Sequence, residues 1–280
     1  MAATIIDGDQ IARSIRKEIR GKAKKHKVTP GLAVVQVGND PASTVYVSHK
    51  QRDCERVGFH SEVYHMPETA TQDAVIAQIQ RLNQRDDIHA ILAQMPVPKH
   101  IDGQAVIDTI APEKDVDGLG TANLGRLLIN REAIHPCTPA GIIRLIASTG
   151  TEIEGKQAVC VGRSSLVGKP VGLLLLNHNA TVTFCHSRTK PLSGETRRAD
   201  ILIVAIGRPK LITADMVKPG AIVIDVGINR QGDQLVGDVD FEGVKEVAGY
   251  ITPVPGGVGP MTRAMLLENT LRLALREGRR

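Results

Sequence analysis

The sequence predicts an α/β protein with two parallel-sheet domains, and three observations carry that prediction. Short apolar runs closed by glycine or a polar residue alternate with helix-period segments in both halves of the chain. A stretch containing Pro96, Pro98, Pro112, Pro136 and Pro139 interrupts the alternation near the middle. The length of 280 residues exceeds one small core and suits one or two domains of ordinary size.

Taken in order, residues 9–27 carry Ile11, Ile15 and Ile19 at intervals of four, which is helical spacing. GLAVVQVG (31–38) reads as a buried strand, 43–57 as a helix, SEVYHM (61–66) as a strand, 72–83 as a helix and HAILAQM (89–95) as a strand. The segment 96–139 breaks this rhythm and reads as an inter-domain region. A helix over 140–149 then leads into four strands, at 157–162, 180–186, 200–207 and 221–227. Each is apolar throughout, so each is expected to be covered on both faces. Helices fit at 170–177 and around 189–198, and a last one at 262–276 places Met265, Leu266, Leu273 and Leu275 on its apolar positions.

Composition narrows the function classes. The chain is 42% hydrophobic and 23% charged, which is ordinary for a globular protein. Only 2% is aromatic, with no Trp. Stacking platforms for single-stranded nucleic acid need several exposed rings, so that partner is not expected. The net charge of +5 is concentrated in Arg13, Arg16, Lys17, Arg20, Lys22, Lys24, Lys25 and Lys27 against Glu18, the pattern of a solvated helix face. Cys54, Cys137, Cys160 and Cys185 show no metal-ligand pairing, and the histidines form no HxxxH or HExxH, so reduced structural thiols and no metal are expected. No apolar run approaches the roughly 18 residues of a membrane span. A soluble, cytoplasmic protein without membrane contact is the expectation.

In the second half, GRSSLVGKP (162–170) follows a strand and precedes a helix, the place of the first βα turn of a Rossmann unit. Gly162 lets the chain turn, Ser164 and Ser165 offer hydroxyls, Gly168 permits close approach, and the helix N-terminus faces an anion. NAD-binding sequences carry an acid at the end of the next strand for the ribose hydroxyls. Here that strand ends in His186, Ser187, Arg188 and Thr189. Ser187 and Arg188, with Arg163, suit a ribose 2′-phosphate, so NADP is expected.

In the first half, Tyr46 and Lys50 stand four residues apart and share a helix face. Gln94 closes a strand at its carboxyl end, where open α/β sheets bind ligands, and Asp115 and Asp117 follow in PEKDVDG. A lysine transfers protons near neutral pH when it is neutral for part of the cycle, and a glutamine can hold its amine in place.

DPASTVYVSHK (40–50), AQMPVPKHI (93–101), PEKDVDG (112–118), PCTPAG (136–141), GRSSLVGKP (162–170), KPGAIVIDVGIN (218–229) and ITPVPGGVGPMT (251–262) follow one another in this order. In this the chain resembles the bifunctional methylenetetrahydrofolate dehydrogenase/cyclohydrolase family over nearly its whole length. The resemblance implies a three-layer α/β catalytic domain over 1–120, with the C-terminal helix of 262–280 packing back on it, and a Rossmann-type NADP-binding domain over 121–261. A cleft between the domains would hold one site. The implied activity is NADP-dependent oxidation of 5,10-methylenetetrahydrofolate, then hydrolysis of the methenyl product to 10-formyltetrahydrofolate, in a homodimer.

By the same resemblance Lys50 carries the hydrolysis, Gln94 hydrogen-bonds it, Tyr46 packs on the folate and Asp117 holds the pterin. Ala93, Met95, Pro255, Gly256, Gly257, Val258 and Gly259 would border the folate. Thr138, Gly162, Arg163, Ser164, Ser187, Arg188 and Ile228 would hold the cofactor. The family usually reads VQLPLP where this chain has AQMPVP. Gln94 and both prolines are kept, whereas Ala93, Met95 and Val97 alter the apolar shape around them. A dehydrogenase without efficient cyclohydrolase action is the alternative this departure raises.

Overall fold

The computed structural model describes residues 2–232 and 234–277. In chain order the elements are β1 (Thr4–Ile5), α1 (Gly8–His26), β2 (Gly31–Val37), α2 (Pro41–Val57), β3 (His60–Met66), α3 (Gln72–Asn83), β4 (Ala90–Ala93), α4 (Gly103–Thr109), α5 (Thr121–Leu128) and α6 (Cys137–Ala147). There follow β5 (Gln157–Val161), α7 (Gly168–Asn177), β6 (Thr181–Cys185), α8 (Leu192–Thr196), β7 (Ile201–Val204), β8 (Ile222–Asp225), β9 (Asn229–Gln231), β10 (Gln234–Val236), α9 (Phe241–Val244), β11 (Tyr250–Ile251) and α10 (Val258–Glu277). They form two compact units, neither continuous in sequence. The first comprises Ser14–Cys137 with residues 263–277, and the second Thr138–Thr262 with residues 2–13. The passage in mid-chain falls at 137/138.

The first unit is built on a three-stranded parallel sheet in the order β3-β2-β4. Every residue of β2 is buried. Ala33, Val35 and Val37 pack with Val75 and Ile79 of α3 and Val106 of α4, and the alternate residues Leu32 and Val34 close the opposite face from water. The basic run of α1 is solvated as expected, since Ile15, Ile19 and Ala23 are buried whereas Lys17, Arg20, Lys22 and Lys24 are exposed.

The stretch 96–139 contains two helices, α4 and α5, and the start of α6. Asp102 starts α4 by accepting the Gln104 and Ala105 N–H groups. Helix α5 is one of two turns around Gly125, too short for its period to stand out.

The second unit carries a six-stranded, all-parallel sheet in the order β1-β11-β8-β7-β5-β6. The chain direction of growth reverses at β5, between β6 on one side and β7 on the other, which makes a topological switch point there. Strands β5, β7 and β8 are buried almost throughout. Strand β6 is not, contrary to expectation: Thr181 and Phe184 are exposed because β6 is the edge of the sheet. Two-residue strands β1 and β11 extend the other edge. Among the described residues, no helix is long and apolar enough to cross a membrane.

Candidate functional site

In the first unit the site starts from how α2 is set. Asp40 caps it by accepting the Ser43 N–H at 2.8 Å, Pro41 occupies the first turn, and Gly58 ends it in the left-handed conformation. Tyr46 is exposed and Lys50, one turn on, is half-buried. Lys50 Nζ donates to Gln94 Oε1 at 2.9 Å. The glutamine is held by its own surroundings: its backbone N–H reaches Val35 O at 2.8 Å and its Nε2 donates to Met95 O at 2.6 Å. With the amide nitrogen committed to a carbonyl, the oxygen faces the lysine. Ala93 is buried at the end of β4, and Met95 and Val97 pack against the core of this unit. The altered side chains of AQMPVP are thus core neighbours, while the backbone of Met95 orients Gln94.

Asp117 is placed by the segment before it. The Ile91 N–H donates to Lys114 O at 2.8 Å, which lays residues 114–116 alongside β4 and carries Asp117 past the strand's carboxyl end. The two acids of this motif divide their roles. Buried Asp115 accepts the N–H groups of Gly118 and Gly120 and the Asn123 amide, each at 2.9 Å, and so builds the turn. Burial pushes its carboxyl pKa up, against those hydrogen bonds. Gly118 has φ +64, and a Cβ there would meet Ile134 O at 2.4 Å.

Cys137 shows that Asp117 and Lys50 share one neighbourhood. Its fully buried thiol lies against the Asp117 carboxylate and within electrostatic reach of Lys50. Burial, then Asp117, raises the thiol well above its usual range. Asn269 of α10 completes the surroundings, sharing its Nδ2 among Val116 O (2.9 Å), His135 O (3.1 Å) and Cys137 Sγ (3.5 Å). Neither Asn269 nor the role of Cys137 was read from the sequence. The available signal was an amide on an otherwise apolar helix face.

In the second unit, Gly162 closes β5 with φ +134, and a Cβ on it would lie 2.2 Å from Ala205 O in the turn after β7. One on Gly168 would lie 2.3 Å from Gly162 O, and one on Gly172 would lie 2.2 Å from the Phe184 ring. Three glycines therefore allow the tight turn, the close backbone approach and the helix–strand contact that a dinucleotide loop needs. Ser164 Oγ accepts the Val167 and Gly168 N–H groups at 3.2 and 3.4 Å, leaving its proton for a ligand oxygen. Arg163, Ser187, Arg188 and Ile228 are exposed on the loops at the carboxyl ends of β5, β6 and β8. Residues 186–191 include no acid. This cradle fits a phosphorylated dinucleotide.

Thr138 pairs its hydroxyl with that of Thr262 at 2.9 Å. Pro255 to Gly259 also belong to the second unit, where Gly256 O accepts the Asp9 N–H at 3.1 Å. A Cβ on Gly257 would lie 2.6 Å from Pro253 O, so the PGGVG turn requires its glycine.

Among the described residues, one group has metal-ligand geometry, His60, Glu62 and Asp87. Arg85 occupies it, bonding Glu62 at 2.7 and 2.8 Å and Asp87 at 2.9 Å. Hydrogen bonds from Arg85, Tyr64 and His60 hold the Glu62 carboxyl down at about 2.

Residues 6–117 match the tetrahydrofolate dehydrogenase/cyclohydrolase catalytic domain, and residues 136–278 the NAD(P)-binding domain of the same name. The bifunctional protein FolD of Bacillus cytotoxicus is 52% identical over 282 aligned residues, covering 99% of each chain. A solved structure from Campylobacter jejuni, described as a bifunctional methylenetetrahydrofolate dehydrogenase/cyclohydrolase, superposes with a TM-score of 0.96 at 47% identity, over 99% of this chain and 100% of that one. Another, the Trypanosoma brucei dehydrogenase-cyclohydrolase complexed with NADP cofactor and inhibitor, gives 0.95 at 40% identity over 100% of both chains. The chain belongs to the tetrahydrofolate dehydrogenase/cyclohydrolase family.

Proposed function

We propose that this protein oxidises 5,10-methylenetetrahydrofolate with NADP⁺ and hydrolyses the resulting 5,10-methenyl cation to 10-formyltetrahydrofolate. The observation that carries this reading is the Lys50 Nζ to Gln94 Oε1 hydrogen bond, beside the Asp117 neighbourhood, in a chain of this family. Bound NADP⁺ supplies the hydride acceptor for the first step. Gly162, Arg163 and Ser164 would hold its phosphates, and Ser187 and Arg188 the 2′-phosphate; Thr138 and Ile228 are its further neighbours. The first unit is the folate-binding domain in this reading and the second the cofactor domain.

The residues of the first unit suit the hydrolytic step. Water adds to the methenyl carbon and loses a proton, the carbon–N5 bond breaks as N5 takes a proton, and the hydroxyl on that carbon loses its own proton to leave the formyl group on N10. Relative to the cation and water, one proton is released. Gln94 offers Lys50 a neutral acceptor, which fixes the amine in place. Lys50 thus takes the proton of the adding water and returns one to N5. Asp117 accepts from the pterin N–H groups, and Tyr46 gives the ring an apolar face. Ala93, Met95 and Pro255 to Gly259 are proposed as folate neighbours, Met95 through its backbone.

Purified protein with NADP⁺ and methylenetetrahydrofolate should form the methenyl absorbance, and the same protein should accelerate its loss. Formation without accelerated loss would leave a dehydrogenase only. The chain is also proposed to act as a homodimer, which sedimentation velocity checks.

A further inference from the structure

Two carboxylates that the proposed chemistry leaves unused lie together at the carboxyl end of the six-stranded sheet. Asp225 is 3% exposed and Asp238 is fully buried. Among the described residues no cation pairs with either. Their charge is met by N–H groups instead. Asp225 Oδ1 accepts from Gly227 N at 2.9 Å and Asp238 N at 3.0 Å, and its Oδ2 from Val239 N at 2.9 Å. Asp238 Oδ2 accepts from Ile206 N at 2.6 Å and Gly207 N at 2.8 Å, and its Oδ1 from the Asn229 side-chain amide at 2.8 Å.

The fit is close enough to exclude side chains around it. A Cβ on Gly227 would lie 2.3 Å from Asp238 Cγ, and one on Gly237 would lie 1.8 Å from Asp225 Oδ2. Burying two unpaired acids is a costly way to hold a fold together, since each must recover its lost hydration from fixed dipoles. Burial first, with the Asp238 charge contributing, pushes Asp225 up to about 6. The segments so fastened explain the arrangement. Ile206 and Gly207 follow β7, and Gly227 to Asn229 follow β8, both at strand carboxyl ends. The first of these turns begins at Ala205, whose carbonyl meets Gly162 at the switch point.

We infer that Asp225 and Asp238 are positioning residues for the dinucleotide, fixing the Ile206–Gly207 and Gly227–Asn229 backbone as two walls of the crevice that opens at Gly162. The inference rests on the NADP reading above. It differs from a role in general stability because the donors come almost wholly from the loops beyond the strands.

Isosteric amides provide the test. In Asp238→Asn the oxygen can keep the Ile206 and Gly207 N–H groups while the new NH₂ turns to Asn229, whose own amide can flip to accept it. In Asp225→Asn all three partners are backbone N–H groups, so at least one must face the new NH₂. Both changes remove one negative charge. Calorimetric titration with NADP⁺ should therefore give an affinity within about threefold of wild type for Asp238→Asn, and one weakened roughly tenfold for Asp225→Asn. Hydrolysis of supplied methenyltetrahydrofolate, which needs no cofactor, should stay within about twofold in both. Asp225→Asn binding NADP⁺ like wild type, or losing hydrolysis in parallel with binding, would overturn the positioning role. Asp238→Ala, which loses all three contacts, should weaken binding more than either amide, and an affinity equal to that of Asp238→Asn would also count against it. If wild type itself binds no NADP⁺, the cofactor reading fails first, and the carboxylates have nothing to position.

Discussion

Asp53, three residues beyond Lys50 on α2, receives the Arg263 guanidinium of α10 at 3.1 Å although its side chain is only 2% exposed. A second cation, Arg56, stands 3.4 Å from its other oxygen but is 69% exposed. The buried pair ties the helix that presents Tyr46 and Lys50 to the C-terminal helix of the same unit. Its value lies in geometry, because a buried ion pair seldom outperforms well-packed apolar residues in stability.

Arg263→Met should consequently destabilise the protein by about 3 kcal/mol, the cost of leaving a buried carboxylate with one exposed partner. Adding Asp53→Asn to it should recover a large part of that loss. Denaturant unfolding of the two variants checks this, and equal losses in the single and double variants would show that the pair is not the cause.

Lys50→Met removes the amine and keeps the length of the side chain. Hydrolysis of methenyltetrahydrofolate should fall at least about a hundredfold, the usual contribution of a proton-transfer group. NADP⁺ affinity should change by less than about twofold. Gln94→Glu tests the same point from the other side. A carboxylate 2.9 Å from the amine would keep it protonated, so hydrolysis should drop although the hydrogen bond is retained. Hydrolysis at the wild-type rate in either variant would remove Lys50 from the mechanism.

Cofactor choice should follow residues 187 and 188. Replacing Ser187 with Asp and Arg188 with Ala puts an acceptor for ribose hydroxyls at the end of β6 and removes the cation offered to a 2′-phosphate. The ratio of kcat/KM for NADP⁺ to that for NAD⁺ should fall by about tenfold or more. An unchanged ratio would place the 2′-phosphate elsewhere.

The thiols should be silent. All four cysteines are free and buried, and burial pushes Cys54 and Cys160 up to about 12 and raises Cys137 and Cys185 as well. At pH 8 a thiol near 12 is ionised in about one molecule in ten thousand, and only the thiolate attacks. A disulfide reagent should therefore label none of them within minutes in the native protein and four after unfolding in guanidinium, as read by absorbance.

Much of this arrangement was legible because it depends on local pattern. Lys50 and Tyr46 share a helix face by spacing alone, and Gln94 closes a strand that its apolar run announces. The glycine-bearing loop at 162–168 stands where a strand meets a helix. Residues whose importance depends on distant partners left weaker signs. Asp115 and Asp117 look alike in PEKDVDG, and only the turn at Gly118 and Gly120 separates the structural acid from the available one. Asp225 reads as the end of a strand until Gly237 and Asp238 are brought beside it. The exposed face of β6 follows from sheet order, which periodicity does not report. Short α5 and the two-residue strands β1 and β11 offer too few positions for any period to register.

The division of the chain also bears on how it can be taken apart. The chain passes from unit to unit at 13/14, 137/138 and 262/263. The first and last of these fall inside α1 and α10. No single cut yields either unit whole. A fragment starting at residue 138 lacks β1, the outermost strand of its sheet, and one ending at residue 137 lacks Arg263 and Asn269, leaving Asp53 with exposed Arg56 alone and Cys137 without the Asn269 amide. Gene fragments split at the apparent middle should be insoluble when expressed separately.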